Sequence, residues 1–167
     1  MKRYEGKKVV IIGGTSGMGL ATAKMLLDGS ASVLVTGRSK EGLDSAQKEL
    51  GNEAIVVASD ARSLTDLDAL ASRVKAQFDT LDLLFVNAGF SIRAPLESIT
   101  EAIYDEMFNL NAKGPLFAVQ KFAPLISRGA LSSSRPRSPT SREWPATLHT
   151  EPPRPRCDHS LGRSLLS

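Results

Sequence analysis

The fold is decided at residues 9–20, which read VVIIGGTSGMGL. Residues 9–12 are a continuous apolar run, typical of a strand that is buried on both faces of a parallel sheet. Leu20 opens a series of apolar residues at helical spacing, which ends at Asp28-Gly29-Ser30. The glycines therefore lie between a strand and a helix, the position that a phosphate-binding turn requires.

Three glycines have separate roles in this prediction. Gly13 allows a tight turn, Gly17 allows backbone to approach a pyrophosphate, and Gly19 allows the helix to pack on the strand. The helix N-terminus adds N–H donors and the positive end of its dipole. The alternative is a plain glycine-rich connection. The strand before it and the helix after it favour phosphate binding.

Strands and helices alternate as far as residue 125. Further strands are predicted at residues 33–35, 55–58 and 83–86, and helices at residues 43–50, 63–78, 99–110 and 112–125. This alternation predicts an α/β fold with a Rossmann-type doubly wound parallel sheet. We expect strand order 3-2-1-4, with the sheet truncated after the fourth strand. That strand would then be an exposed apolar edge, which favours association or partial unfolding.

The composition changes at residue 128. Residues 128–167 contain seven arginines and three acidic residues, so they carry +4, and residues 1–127 carry −1 of the net charge of +3. They also hold six of the nine prolines and no Lys, Val, Ile, Phe or Tyr. Such a segment buries too little apolar area to offset the entropy of ordering it. We predict a partial nucleotide-binding domain over residues 1–127 and a disordered Ser/Pro/Arg-rich tail over residues 128–167.

Composition also excludes several classes of function. No apolar run reaches the roughly 18 residues of a membrane helix, and the start does not resemble a signal peptide. Cys157 is the only cysteine and the chain has two histidines, which excludes an internal disulfide and a multi-cysteine metal site. We expect a cytoplasmic protein with no bound metal and no membrane association.

Four motifs, in this order along the chain, resemble those of the short-chain dehydrogenase/reductase family. They are the glycine turn Gly13-x3-Gly17-x-Gly19, the pair Asp60-Ala61, which resembles the family's adenine-contacting acid, the signature Asn87-Ala88-Gly89 after the fourth strand, and the helix asparagine Asn111. The resemblance covers residues 6 to about 128. One departure is Ile12, where the family usually has Thr. The hydroxyl that would link the glycine turn to the Asn-Ala-Gly segment is therefore absent.

The resemblance implies an NAD(P)-dependent oxidoreductase that acts on a small-molecule carbonyl or alcohol, and a homo-oligomeric parent enzyme. It implies that the cofactor is bound by Gly13, Thr15, Ser16, Gly17, Met18, Gly19, Arg38, Asp60, Ala61, Asn87, Ala88 and Gly89. Asn111 is the one catalytic position that remains. The residues alone allow other roles, because Asp60 could cap the next helix, Asn87 could form a turn and Asn111 could face solvent.

Cofactor choice depends on the end of the second strand, Thr36-Gly37-Arg38-Ser39. A site that prefers NAD places an acidic residue here for the ribose 2′-hydroxyl, and this segment has none. Arg38 can pair with a 2′-phosphate, since a guanidinium suits that anion. The sequence therefore predicts NADP, with NAD also possible. The alternative for Arg38 is a solvated loop arginine.

The family's proton-transfer residues are missing. The family uses Ser, Tyr and Lys, the last two as Tyr-x3-Lys, and the tyrosine acts as general acid or base. The chain has only Tyr4 and Tyr104, and no lysine beyond Lys121. We expect the 167-residue chain to be inactive.

A frameshift would explain both the tail and the missing residues. Read one register back, the codons of residues 149–154 permit Tyr-Gly-Ala-Ser-Lys, and the slot Pro136-Arg137 permits Ser. These fall at the offsets that the family uses. We infer a one-base deletion near residues 128–132 of a reductase gene, real or from sequencing.

Two other functions share the glycine turn. A non-catalytic nucleotide-binding module could use the basic tail to contact an acidic partner. The tail lacks the lysines and interleaved aromatic residues of a nucleic-acid segment, so we expect no nucleic-acid partner. A methyltransferase would leave the Asn-Ala-Gly match unexplained.

Overall fold

The structure is a computed structural model that describes residues 2–134. A parallel five-stranded sheet with order β3-β2-β1-β4-β5 forms its centre. The strands are β1 Lys8–Ile12, β2 Ser32–Gly37, β3 Ala54–Ala58, β4 Leu81–Val86 and β5 Ile126–Ser134. The α-helices are α1 Gly17–Asp28, α2 Lys40–Leu50, α3 Leu64–Phe78, α4 Glu101–Phe108 and α5 Gly114–Phe122, and a π-helical turn, Asn109–Lys113, joins α4 to α5.

Helices cover both faces of the sheet. Val9 and Ile11 of β1 pack with α1 and α2 on one face, whereas Val10 and Ile12 pack with α3 and α5 on the other. All four side chains are at most 1% exposed. This two-sided burial explains why residues 9–12 of β1 are all apolar instead of alternating with polar residues. The predicted α/β doubly wound fold is confirmed.

Serine side chains fix the starts of two helices. The Ser39 hydroxyl accepts the N–H of Gly42 at 3.1 Å, and the Ser63 hydroxyl accepts the N–H of Asp66 at 3.2 Å. Each bond satisfies a backbone donor that the first helical turn leaves free. As a result α2 begins at Lys40, earlier than the apolar pattern predicted, and α3 begins next to its predicted start.

The prediction that the sheet ends after its fourth strand is wrong. β5 pairs in parallel with β4, which places Leu83 opposite Leu131 and Val86 opposite Ser134. Because β1 pairs with the other side of β4, that strand is inside the sheet and is not the exposed edge we expected. The premise for association or partial unfolding is thereby removed.

The start of the predicted disordered tail is also corrected, because residues 128–134 belong to β5. The absence of β-branched residues misled the prediction. Strand pairing uses backbone N–H and C=O groups, and tertiary context overrides weak strand propensity. Residues 135–167, which include the slots of the alternative frame and Cys157, lie outside the described residues.

Candidate functional site

A cleft lies at the carboxyl ends of β1 to β4, where the loops that follow these strands meet. From β1 the chain continues to β2 and β3 on one side of the sheet, whereas β4 and β5 lie on the other side. Open α/β sheets bind ligands at the point where the strand order reverses in this way. The cleft is lined by Ile12, Gly13, Thr15, Ser16, Thr36, Gly37, Arg38, Ser59, Asp60, Ala61, Asn87, Ala88, Gly89, Phe90 and Leu110.

Most of the predicted site residues line this cleft. The exceptions are Gly17, Met18 and Gly19, which form the first turn of α1, and Asn111, which lies in the π-helical turn. Six lining residues were not among the predicted site residues, namely Ile12, Thr36, Gly37, Ser59, Phe90 and Leu110. Thr36 and Ser59 lie at the ends of β2 and β3, where position alone was a usable signal, whereas Phe90 and Leu110 merely adjoin predicted residues.

Backbone encloses the glycine turn on two sides. Gly13 has φ +83°, and a Cβ there would lie 2.6 Å from the backbone nitrogen of Ala88. The N–H groups of Gly13 and Gly14 donate to the carbonyl of Thr36 at 3.1 and 2.9 Å. No side chain fits between the turn and the segment after β4, so glycine is required at position 13.

The other two glycines differ in the space around them. A Cβ on Gly19 would overlap the carbonyl oxygen of Gly13 and lie 2.8 Å from Asn87 Nδ2, so α1 packs closely on the turn. Gly17 has φ +54°, and a Cβ there would meet nothing within 4 Å. The turn is therefore closed toward the sheet and open toward solvent, which is what close approach of a ligand to its backbone requires.

The link that a threonine at position 12 would provide is made by other groups. Asn87 Nδ2 donates to the carbonyl of Gly13 at 2.9 Å. The N–H groups of Asn87 and Ala88 both donate to the carbonyl of Ile12 at 2.8 Å. The Asn-Ala-Gly segment is thus bound directly to the glycine turn, and Ile12 does not separate them.

The Asp60 carboxylate is held by Arg62. Its oxygens accept the Arg62 backbone N–H at 2.9 Å, Nε at 3.0 Å and Nη2 at 2.6 Å. The side-chain hydrogen bond from Arg62 is the main cause that holds the pKa of Asp60 below its ordinary value. The alternative role for Asp60 as the cap of the next helix is wrong, because Ser63 caps α3.

Asn111 binds the backbone of the segment after β4. Its Oδ1 accepts the N–H of Phe90 at 3.0 Å, and its Nδ2 donates to the carbonyl of Phe90 at 2.7 Å. Both polar ends of the side chain are therefore occupied, so Asn111 does not simply face solvent. It fixes Phe90 in the wall of the cleft, from a π-helical turn of the kind often found at functional sites.

Ser59 and Arg38 of the cleft have no side-chain partner within residues 2–134. Ser59 is 7% exposed, and its buried hydroxyl makes no hydrogen bond there, which costs free energy. Arg38 makes no hydrogen bond or ion pair in the same part of the chain. With the open backbone at Gly17, the unpaired cation of Arg38 fits a phosphorylated nucleotide.

Comparison with known proteins agrees with this geometry. The family model described as short chain dehydrogenase matches residues 7–132. The chain belongs to the short-chain dehydrogenase family. The chain spans about half the length of the curated relatives it matches.

Two such relatives are oxidoreductases by name. The chain is 38% identical over 128 residues to oxidoreductase asL5 of Sarocladium schorii, which covers 77% of this chain and 51% of that protein. It is 36% identical over 134 residues to a cis-2,3-dihydrobiphenyl-2,3-diol dehydrogenase of Metapseudomonas furukawaii, covering 76% and 48%.

Solved structures share the fold. A short-chain dehydrogenase/reductase of Brucella melitensis, described as a glucose/ribitol dehydrogenase, superposes with a TM-score of 0.75 at 22% identity, covering 79% of this chain and 57% of that one. A short-chain dehydrogenase/reductase variant from Serratia marcescens gives 0.73 at 23% identity, covering 79% and 56%.

One Tyr-x3-Lys pair does occur in this family member, at Tyr4 and Lys8, but it lies away from the cleft. Lys8 begins β1, and its Nζ donates to the carbonyl of Phe78 at 2.8 Å. The Tyr4 ring lies against Gly29 at the end of α1. Both residues are at the amino edge of the sheet, so this pair cannot act at the carboxyl edge.

Two kinds of feature are absent from the part of the chain that the structure describes. Within residues 2–134, no helix is long and apolar enough to cross a membrane. The same part of the chain contains no group of three His, Cys, Asp or Glu side chains placed to hold a metal ion.

Proposed function

We propose that this chain is the NADP(H)-binding portion of a cytoplasmic, homo-oligomeric short-chain oxidoreductase. The parent reaction would transfer a hydride between NADP(H) and the carbonyl or alcohol carbon of a small molecule. The observation that carries the proposal is that a glycine turn open at Gly17 and an unpaired Arg38 share one cleft. The cofactor, when bound, supplies or accepts the hydride.

The first turn of α1 would hold the pyrophosphate. Ser16 occupies the N-cap position, but its side chain makes no capping hydrogen bond, and the first turn contains no acidic residue. The N–H donors of Gly17 and Gly19 therefore remain available to an anion, and the helix dipole favours negative charge there. Gly13 and Thr15 complete the turn.

The remaining lining residues are assigned by their place along the cleft. Arg38 would pair with the 2′-phosphate, which favours NADP over NAD. Asp60 and Ala61 would contact the adenine, and Asn87 to Gly89 the adjacent ribose. Asn111 would belong to the catalytic centre through the Phe90 segment that it holds.

Within residues 2–134, the cleft is lined by no tyrosine and no lysine, the residues that the family uses for proton transfer. The alternative reading frame permits Ser, Tyr and Lys at the offsets that the family uses. We therefore propose that the chain by itself binds cofactor without turnover. In the rival function, a nucleotide-binding module with a basic interaction tail, the cleft would be the same and no catalytic frame would exist.

Arg38→Asp tests the cofactor assignment. The substitution replaces a partner of the 2′-phosphate by a repulsive charge, so NADPH affinity should fall about 30- to 100-fold. NADH lacks that phosphate, and its affinity should change by less than about threefold. Calorimetric titration of both nucleotides into the 167-residue chain measures this. Arg73→Asp, which makes the same charge change on an exposed position of α3, is the matched control. Equal losses for the two nucleotides, or tighter NADH binding before mutation, would contradict the assignment.

A further inference from the structure

Arg62 was not among the predicted site residues, yet it controls the charge beside Arg38. We infer that Arg62 sets the preference of the proposed nucleotide site for a 2′-phosphate, because it neutralises the Asp60 carboxylate and thereby leaves Arg38 unpaired. This inference rests on the proposed function.

The Arg62 side chain is fixed from two elements. Nε and Nη2 bind the Asp60 carboxylate in a fork, the geometry that a guanidinium and a carboxylate prefer. Nη1 lies 3.2 Å from Glu106 Oε1 on α4. The Arg62 and Asp60 side chains are 30% and 26% exposed, so the pair is screened less than a fully exposed one.

The Asp60 carboxylate is thus paired with Arg62 and not with Arg38. Both Asp60 and Arg38 line the cleft, and Arg38 makes no ion pair within the described residues. Among the groups that lower the pKa of Asp60, the hydrogen bond from Arg62 contributes most and the charge of Arg38 contributes least. Arg38 is close enough to feel the carboxylate but is not paired with it.

Without Arg62, the negative charge of Asp60 would no longer be neutralised. The Asp60 carboxylate would then be an unpaired anion in the cleft, where it would repel a 2′-phosphate and compete for Arg38. A nucleotide without the 2′-phosphate would lose little, because it places no charge there. Arg62 therefore discriminates between nucleotides by removing a repulsion, which is as effective as adding an attraction.

The test is a double-mutant cycle on nucleotide binding by the 167-residue chain at neutral pH. Arg62→Gln should weaken NADPH about tenfold and NADH by less than about twofold. The double variant Asp60→Asn, Arg62→Gln should bring NADPH affinity back to within about threefold of the unmodified chain. Asparagine keeps an oxygen acceptor for the adenine amino group, so the rescue isolates the charge.

Two further variants separate charge from structure. Arg62→Lys keeps the positive charge but loses the fork, and it should preserve the NADPH preference within about twofold. Arg73→Gln on α3 removes one charge away from the cleft and should change neither affinity. The loss in Arg62→Gln should shrink as salt is added. Circular dichroism checks that each variant is folded.

The outcomes are distinguishable. Equal weakening of NADPH and NADH by Arg62→Gln, or no recovery in the double variant, would show that Arg62 has a structural role only and would overturn the inference, while nucleotide binding stands. If the unmodified chain binds neither nucleotide, the proposed function fails and the inference fails with it.

Discussion

Insertion of one base near codon 129 is expected to convert an inactive chain into an NADPH-dependent reductase. The 167-residue chain has no Tyr-x3-Lys after β4, whereas the restored frame permits Ser, Tyr and Lys at the family's offsets. General acid–base catalysis alone contributes about 100- to 10,000-fold to a rate. We therefore expect the rate of carbonyl reduction to rise by at least about a thousandfold over the 167-residue chain.

NADPH oxidation with a panel of small aldehydes and ketones measures this. The control is the restored protein in which the new tyrosine of the Tyr-x3-Lys motif is replaced by phenylalanine. That variant should still bind NADPH but should lose turnover, because it keeps the cleft and lacks the proton donor. Measurable turnover by the 167-residue chain would show that its own residues suffice for catalysis and that no frame restoration is needed.

Gly13→Ala is expected to destabilise the protein and to abolish nucleotide binding. Position 13 has φ +83°, and the added Cβ would lie 2.6 Å from the Ala88 nitrogen, which is backbone and cannot move aside. Backbone strain and steric overlap together should lower the free energy of unfolding by about 2–4 kcal/mol. Nucleotide binding should be lost, because the turn and the Asn-Ala-Gly segment would separate.

Gly51→Ala is the matched control. Gly51 follows α2 with φ +70°, and a Cβ there meets nothing within 4 Å. This variant therefore has the conformational strain without the overlap. It should cost about 1–3 kcal/mol and leave nucleotide affinity unchanged. Urea unfolding and NADPH titration of the two variants measure the difference. Similar values for both would mean that the contact with Ala88 is not tight.

The centre of the fold could be predicted because local and global signals agree there. Residues 9–12 are apolar at every position, and burial on both faces of the sheet is the reason. The glycine turn could also be predicted from the sequence. The positive φ at Gly13 and the close packing at Gly19 both require a residue without a side chain.

β5 could not be predicted by the same reasoning. Its pairing partner is β4, and the pairing uses backbone groups that residues 128–134 possess whatever their side chains are. Composition reports side-chain burial and propensity, so it assigned this segment to the tail. Long-range strand pairing is a tertiary property that a local pattern does not contain.

The candidate site was predictable in position more than in contacts. Motif order placed Asp60, Asn87 and Asn111 near one edge of the sheet, and the structure places Asp60 and Asn87 in the cleft and Asn111 on Phe90 in its wall. The sequence did not show that Arg62 would pair with the Asp60 carboxylate. It also did not show that Asn87, which follows β4, would donate a hydrogen bond to the glycine turn. These bonds depend on side-chain direction at loop residues, which spacing does not determine.

Hydrogen–deuterium exchange with and without NADPH tests the central claim most directly, namely that the cleft at the carboxyl edge of the sheet binds NADP(H). Saturating NADPH should slow exchange in the loops over residues 13–19, 36–38, 59–62 and 87–90, which line the cleft or form its glycine turn. The shallow surface at residues 44–52, on the end of α2, should exchange at an unchanged rate. Unchanged exchange in all four loops, or protection centred on residues 44–52, would contradict the account.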